Sequence, residues 1–167
     1  MNTYEEGLRL IEERCRGKNG EGKDNIISLS TVALEPGPGG RPRPYSRDVD
    51  AYYEDGAFYV VTYAKSGKML QTAQNPEVSF TLCNEWFSGN GTAENLGWVL
   101  APENAGIRAK LREVFAAWYD FANNESDENC CIMKISLTKG IVIKDHHAKT
   151  YYMDFVNKAE GKEGRVL

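Results

Sequence analysis

Apolar residues follow two different periods along this chain, and each period predicts a different kind of element. Leu8, Ile11 and Cys15 recur at helical spacing within residues 3–16 and predict an amphipathic N-terminal helix. Most of the remaining apolar positions lie in short continuous or alternating runs, which indicate β-strands. These runs are residues 26–34, 41–53, 57–62, 77–83, 85–94, 131–137, 140–144 and 151–155.

Turn-forming residues separate the runs and indicate how they connect. The dipeptide Asp55-Gly56 is a strong hairpin signal, so residues 26–62 are predicted to form a three-stranded antiparallel meander. A short helix follows Ser66 and ends before Asn75-Pro76, because proline disfavours helical backbone in the residue before it. Apolar residues at helical spacing predict one longer helix over residues 101–122.

The order of these elements predicts a mainly β protein, a β-barrel with flanking helices. We expect six to seven antiparallel strands, since closing the sheet into a barrel removes its unpaired edges. Gly89 and Gly91 predict a bulge or a close backbone approach in their strand. Residues 1–167 are predicted to be a single domain, with the N-terminal helix within residues 1–17 and a charged, frayed tail over residues 158–167.

The transition from strand to helix at residues 60–70 is a candidate anion site. Ser66, Gly67 and Lys68 lie where the first turn of the helix begins. The N–H groups of a first helical turn lack intrahelical partners and the helix dipole favours negative charge there, so a phosphate-bearing ligand fits. The alternative is a capped surface helix with a solvated lysine.

Composition and charge narrow the classes of function. The net charge of −4 and the pI of about 5.3 argue against a general nucleic-acid surface, which needs a basic stripe. No apolar run is long enough for a transmembrane helix, and the acidic first residues do not resemble a signal peptide. A cytoplasmic location is the expectation.

Cysteines and histidines do not predict a metal site. The four cysteines form no Cys-any-any-Cys pair, and we expect them to be reduced and mostly buried. His146 and His147 are adjacent, and no further histidine or cysteine at ligand spacing completes a site with them. We therefore expect no bound metal and interpret the histidines as exposed loop residues.

Four features in order resemble the pyridoxamine 5′-phosphate oxidase-like superfamily of FMN-binding split β-barrels. They cover about residues 26–96. They are the strand at residues 30–34 leading to residues 41–44 (RPRP), the hairpin at residues 55–59 (DGAFY), Thr62 with Ser66-Gly67-Lys68 in the position of the family's serine-any-lysine phosphate element, and residues 75–80 (NPEVSF) followed by residues 91–94 (GTAE).

The resemblance implies a homodimer with FMN at each of two clefts between the subunits. It implies that Arg43 and Lys68 bind the FMN phosphate, and that Ser66, beside Gly67, donates its hydroxyl. An arginine would offer a planar, bidentate partner and a lysine a compact charge.

The resemblance also implies residues around the flavin ring. Pro44 and Tyr45 would lie along the flavin edge, and Thr62 and Tyr63 would close the pocket. The strand around Trp86 would reach the flavin bound mainly by the other subunit.

The resemblance favours a flavoprotein that acts as an FMN-dependent oxidoreductase on a small molecule. True pyridoxamine 5′-phosphate oxidases carry an arginine-any-histidine-aspartate-arginine run, and the comparable residues 141–149 (IVIKDHHAK) lack those arginines, so that particular activity is not expected. Two alternatives stay open. One is a non-catalytic protein that binds or senses flavin, haem or a deazaflavin, and the other is a barrel that has lost its cofactor.

Overall fold

The computed structural model describes residues 2–146 and 148–161. The strands are β1 (Asn25–Val32), β2 (Pro44–Glu54), β3 (Ala57–Tyr63), β4 (Glu77–Leu82), β5 (Phe87–Trp98), β6 (Cys130–Lys144), β7 (Lys149–Asp154) and β8 (Ala159–Glu160). The helices are α1 (Thr3–Arg16), α2 (Gly67–Gln74), α3 (Ala105–Val114) and α4 (Tyr119–Ala122), with short 3₁₀ turns at Pro38–Gly40 and Pro102–Asn104.

The strands form one antiparallel sheet that closes on itself. Its order is β3-β2-β1-β4-β5-β6-β7-β8, and an additional pairing of β3 with β6 closes the first six strands into a barrel. Strands β7 and β8 extend the sheet outside the barrel. The predicted mainly β, antiparallel barrel with flanking helices is confirmed, as is the meander β1-β2-β3.

The alternation of the strands produces two cores. Inward-facing residues such as Leu29, Phe58 and Met133 fill the barrel, and Ile11 and Cys15 of α1 pack against them. Strand β6 also faces outward, where Ile132 packs with Leu111, Phe115 and Tyr119 of the segment between β5 and β6. This second core holds the segment from residue 115 to residue 129, which we call the outer wall, against the side of the barrel.

The predicted close approach at the glycines of β5 is confirmed. A Cβ at Gly89 would lie 2.2 Å from the carbonyl oxygen of Lys139, and one at Gly91 would lie 2.7 Å from that of Ser136. The register with β6 shifts between Asn90 and Gly91, which leaves Thr138 of β6 as an unmatched residue. The strand bends there without ending, so the two predicted strands at 131–137 and 140–144 are in fact one, β6.

The predicted helix over residues 101–122 is wrong in its continuity. Helix α3 ends at Val114, and the backbone of Trp118 (φ −140°) is no longer helical. The break lets the Trp118 ring stack on Phe115 at 4.7 Å and lets its indole N–H reach Asp24, contacts that override the helical period.

The prediction for the N-terminus agrees with the structure, and that for the C-terminal tail does not. Helix α1 spans Thr3–Arg16, as predicted. The tail was expected to fray from residue 158, but Ala159 and Glu160 pair with Asp154 and Met153 of β7. Residues 162–167 of that tail, like His147, lie outside the described residues. Within the described part, no helix is both long and apolar enough to span a bilayer.

Candidate functional site

A cleft opens where β2 and β3 separate. The two strands pair only next to their hairpin, from Glu54↔Ala57 to Tyr52↔Tyr59. Beyond that point β2 continues along β1 and β3 continues along β6, so the barrel wall is split between them. The resulting cleft has a volume of about 490 Å³. Its walls come from β2 (Asp48, Val49, Asp50), β3 (Val60, Val61, Thr62, Tyr63), α2 (Lys68), the outer wall (Trp118, Ala122, Asn123, Asn124, Asp127) and β6 (Cys130).

One end of the cleft carries positive charge without a counter-ion. Lys68 lines the cleft, and among the described residues its ammonium group has no hydrogen bond or ion pair. Burial, and then the nearby positive charge of Arg47, lower the pKa of Lys68. Since neither cation has a carboxylate partner in the described chain, an anion at this end would relieve their repulsion.

Arg47 is fixed beside Lys68 by neutral groups. Its guanidinium donates to Thr31 Oγ1 at 2.6 Å and to Gln71 Oε1 at 2.8 Å, which ties β2 to β1 and to α2. The ring of Tyr45 lies 5.0 Å from the guanidinium carbon. Burial lowers the pKa of Arg47, but an arginine stays charged, so the arrangement orients a permanent cation near the start of α2.

The start of α2 adds hydrogen-bond donors. Ser66 is the N-cap residue, but its side chain makes no capping bond, and its hydroxyl is buried without a partner in the described structure. A buried polar atom without a partner is costly unless a ligand or water satisfies it. The first N–H groups of α2 also lack intrahelical partners. A Cβ at Gly67 would meet nothing within 4 Å, so the backbone there is open to a ligand.

The other end of the cleft is acidic. Asp48 and Asp50 line it from β2. The Asp50 carboxyl faces Asp24, and burial together with that carboxylate raises the pKa of Asp50. Asp24 in turn accepts the indole N–H of Trp118 at 2.8 Å. The cleft therefore has a cationic end at Lys68 and an acceptor-rich end at Trp118.

The Glu125 carboxylate adds polar contacts to the apolar packing that holds the outer wall. Its oxygens accept from Arg108 at 2.8 and 2.6 Å and from the Tyr119 hydroxyl at 2.9 Å, and Arg112 lies 3.2 Å away. Its carbonyl accepts the indole N–H of Trp98 at 2.8 Å. Glu125 thus joins α3, α4 and β5, and fixes the side of the cleft that faces β2.

The hydrogen bonds to Glu125 predict an acid-sensitive contribution to stability. The Arg108 hydrogen bonds are the main cause that lowers its pKa from 4.5 to about 2. Because this pKa is lower in the folded state, the charged carboxylate stabilises the fold at pH values above 4.5. This contribution to stability is lost as the pH falls toward 2. Glu125→Gln should therefore lower the free energy of unfolding by about 1–2 kcal/mol at pH 7, and the difference from wild type should shrink below about pH 4.5.

Urea unfolding of the two proteins at pH 7 and at pH 3.5 measures this difference. Glu103→Gln is the matched control, because Glu103 is exposed in the 3₁₀ turn that precedes α3. A difference for Glu125→Gln that stays constant across both pH values would contradict the role given to its charge.

The residues predicted from the resemblance are only partly brought together. Thr62, Tyr63 and Lys68 line the cleft, and Ser66 and Gly67 immediately precede Lys68 at the start of α2.

The remaining predicted residues lie outside the cleft lining. Arg43, Pro44 and Tyr45 are exposed at the start of β2, where the Arg43 carbonyl accepts from the Ala33 N–H. Trp86 is 52% exposed in the turn between β4 and β5. This turn lies next to the C-terminal end of β6, which is the end farther from the cleft. A contact between Trp86 and a cleft therefore requires a second protomer.

Arg47 and Trp118 are among the residues of the site that sequence reasoning missed. Arg47 lies on the same face of β2 as Arg43 and as the buried Val49 and Ala51. This alternation could have indicated that Arg47 faces inward. Trp118 had no such signal, because its position depends on the break after α3 and on Asp24, far away in the sequence.

Comparisons with known proteins support the fold. No protein-family model and no curated protein matches the chain. A haem-binding protein from Mycobacterium smegmatis has a TM-score of 0.65 at 13% identity, over 95% of this chain but only 60% of its own length. A candidate pyridoxamine 5′-phosphate oxidase from Listeria innocua has a TM-score of 0.57 at 13% identity, over 86% of this chain and 100% of its own. An FAD-binding protein from Mesorhizobium loti has a TM-score of 0.52 at 15% identity, over 70% and 81%.

These similarities define a fold class. The chain has a split-barrel fold that it shares with these proteins, some of which are named for flavin or haem binding. At sequence identities of 13–15%, these similarities support a shared fold but not a shared activity or ligand.

Proposed function

We propose that this protein binds FMN in the cleft between β2 and β3 and is an FMN-dependent oxidoreductase of a small molecule. The observation that carries the proposal is the Lys68 ammonium at the start of α2, which pairs with no residue of the described chain and has Arg47 near it. The Ser66 hydroxyl in the same turn also lacks a partner there. A phosphate group would pair with the Lys68 ammonium and the first N–H groups of α2, since it accepts charge-assisted hydrogen bonds from such donors, and its charge would offset that of Arg47.

The residues of the cleft would bind and orient the cofactor. Lys68 and the first turn of α2 would hold the phosphate, and the flavin ring would extend into the split between β2 and β3, where Thr62 and Tyr63 lie. FMN supplies hydride and electron transfer when bound. The protein's part is to fix the ring and to exclude water, for which the outer wall is placed opposite to β2.

Haem is the second cofactor that the similar structures suggest, since two of them are named for haem binding or storage. Haem iron needs an axial ligand, most often histidine, cysteine, methionine or tyrosine. Among the described residues that line the cleft, Tyr63 and Cys130 are of these types, and burial raises the pKa of the Cys130 thiol, which disfavours the thiolate. The donor set at Lys68 suits a phosphate better.

We also propose a homodimer. Tyr45, Tyr63 and Trp86 expose 56%, 45% and 52% of their area, respectively. A second protomer would cover these aromatic surfaces and bring the turn that carries Trp86 toward the cleft. The oligomeric state can be measured by analytical ultracentrifugation, and a monomer at micromolar concentration would contradict this part of the proposal.

Flavin titration tests the cofactor. Purified protein should bind FMN saturably and should bind riboflavin at least about tenfold more weakly, because riboflavin lacks the phosphate. Flavin fluorescence quenching measures both constants. Equal affinity for the two flavins, or no binding of either, would contradict the phosphate site, and a Soret band formed with added haemin would favour the haem alternative.

Turnover tests the enzymatic part separately. The FMN-loaded protein should oxidise a reduced nicotinamide cofactor when an electron acceptor is added. Saturable FMN binding without any turnover across a panel of donors and acceptors would favour a flavin-binding or flavin-sensing protein.

A further inference from the structure

The acceptor-rich end of the cleft has features that the flavin phosphate does not use. Asp48 and Asp50 form its inner side, and Trp118, Asn123 and Asn124 of the outer wall form its outer side. Among the described residues that line the cleft, the only lysine or arginine is Lys68, which follows the end of β3 away from the hairpin. A ligand that fills the cleft therefore meets the ammonium of Lys68 toward one end and the carboxylate of Asp50 toward the other, with a third carboxylate, Asp127, on the outer wall.

The carboxylates at this end lack counter-ions. Neither Asp48 nor Asp50 forms an ion pair with a described lysine, arginine or histidine. The neighbour of Asp50 is a second carboxylate, Asp24, so two acidic groups are held close together without a cation between them. Such repulsion is relieved by protonation or by a bound cation.

Trp118 provides an aromatic surface next to these carboxylates. Its ring is held by stacking on Phe115 at 4.7 Å and an angle of 27°, and by the bond from its indole nitrogen to Asp24. The hydrogen bond to an anionic group also makes the indole ring richer in electrons. Indole is the side chain that attracts cations most strongly over its face, so it complements the carboxylates in recognising a cationic ring.

We propose that the compartment bounded by Trp118, Asp48 and Asp50 binds a planar organic cation, which is the substrate class of this protein. The ring of the cation lies against Trp118 and its charged nitrogen faces the two carboxylates. The inference rests on the proposed function, because the flavin phosphate is assigned to the Lys68 end and leaves this end for the substrate.

A series of three nicotinic compounds tests the proposal with shape held nearly constant. 1-Methylnicotinamide is a permanent cation, nicotinamide is neutral at pH 7.5 and nicotinate is an anion. Titration of the full-length, FMN-loaded protein should quench tryptophan fluorescence saturably with 1-methylnicotinamide, with an affinity at least about tenfold above that for nicotinamide. Nicotinate should bind more weakly than either. Equal affinities for the cation and the neutral compound would overturn the proposal.

Two double variants locate the effect. Asp48→Asn with Asp50→Asn should remove the preference for the cation, whereas Asp55→Asn with Asp145→Asn changes the net charge equally at two turns outside the cleft and should preserve it. Trp118→Phe should weaken binding of the cation and remove most of the quenching. A preference that survives in the cleft variant, or that falls equally in both double variants, would also overturn the proposal.

The FMN affinity of each variant separates this proposal from the cofactor site. Far-ultraviolet circular dichroism of each variant shows whether it folds, and FMN titration of the same samples shows whether the cofactor still binds. Loss of the cation preference with FMN binding retained supports the compartment. Failure of the wild type to bind FMN would instead count against the cofactor assignment, and the nicotinic series on the FMN-free protein would then decide on the compartment alone.

Discussion

Replacing Lys68 by alanine should weaken FMN binding by about 10- to 100-fold. The ammonium group is the one lysine or arginine charge among the described residues of the cleft lining, and no described residue pairs with it in competition with a phosphate. A hydrogen bond to a charged group contributes about 1.5–3 kcal/mol, and each 1.4 kcal/mol corresponds to a factor of ten. The same change should leave riboflavin binding almost unaltered, so the preference for FMN over riboflavin should disappear.

The matched control for Lys68 is Lys65→Ala. Lys65 is exposed in the loop before α2, three positions away, and does not line the cleft. It should keep both flavin affinities within about twofold of wild type. If Lys65→Ala and Lys68→Ala reduced FMN binding equally, the effect would come from net charge and not from a phosphate site.

The two arginines of β2 give a second comparison at the same site. Arg43→Ala follows from the family resemblance and Arg47→Ala from the geometry, since Arg47 lies close enough to Lys68 to lower its pKa. We expect Arg47→Ala to weaken FMN binding by about tenfold and Arg43→Ala by less than about threefold. Arg47→Lys should recover part of the loss, because it restores the charge. If Arg43→Ala weakened FMN binding more than Arg47→Ala, the phosphate contact would belong to Arg43.

These two arginines also show what the sequence could and could not predict about the site. Alternation along β2 assigns Arg43 and Arg47 to the same face, because a strand repeats every two residues. The position along the strand depends on the pairing with β1, which puts Arg47 opposite Leu29 and leaves Arg43 beyond the last pair, Val32↔Pro44. Pairing of distant strands is a tertiary property, so the periodic signal gave the face but not the distance from Lys68.

The fold itself was more accessible, because its determinants are local. Asp55 has a φ of 48° and Gly56 a φ of 75°, so the hairpin between β2 and β3 has the left-handed backbone that this dipeptide favours. The position of Trp118, in contrast, depends on a distant residue. Trp118 continues the helical spacing of apolar residues, but the helix ends before it and its indole reaches Asp24. A local sequence pattern cannot indicate a partner so far away in the sequence.

The cleft depends on the rigidity of the barrel beneath it, and the barrel core contains a continuous series of aromatic rings. Tyr53, Phe58, Phe80 and Phe87 meet edge to face, with centroids 5.4, 5.1 and 5.1 Å apart. Phe80 is 3% exposed and belongs to two of these contacts. It lies opposite Leu29 on β1, the residue that also pairs with Arg47 of β2. The packing of Phe80 and the position of Arg47 are therefore linked through a single strand.

Phe80→Ala should lower the free energy of unfolding by about 3–5 kcal/mol, because it removes a buried ring and leaves a cavity between two aromatic neighbours. Urea unfolding followed by far-ultraviolet circular dichroism measures the change. Phe121→Ala is the same substitution at a residue that is 96% exposed, and it should alter stability by less than about 0.5 kcal/mol. If Phe80→Ala does not fold, Phe80→Leu can replace it, because leucine keeps the site apolar. Its loss in the free energy of unfolding should be smaller than that of Phe80→Ala but still larger than that of Phe121→Ala. Similar losses for Phe80 and Phe121 would mean that the aromatic series does not hold β1 and β4 together, and the link from the barrel core to Arg47 would fail with it.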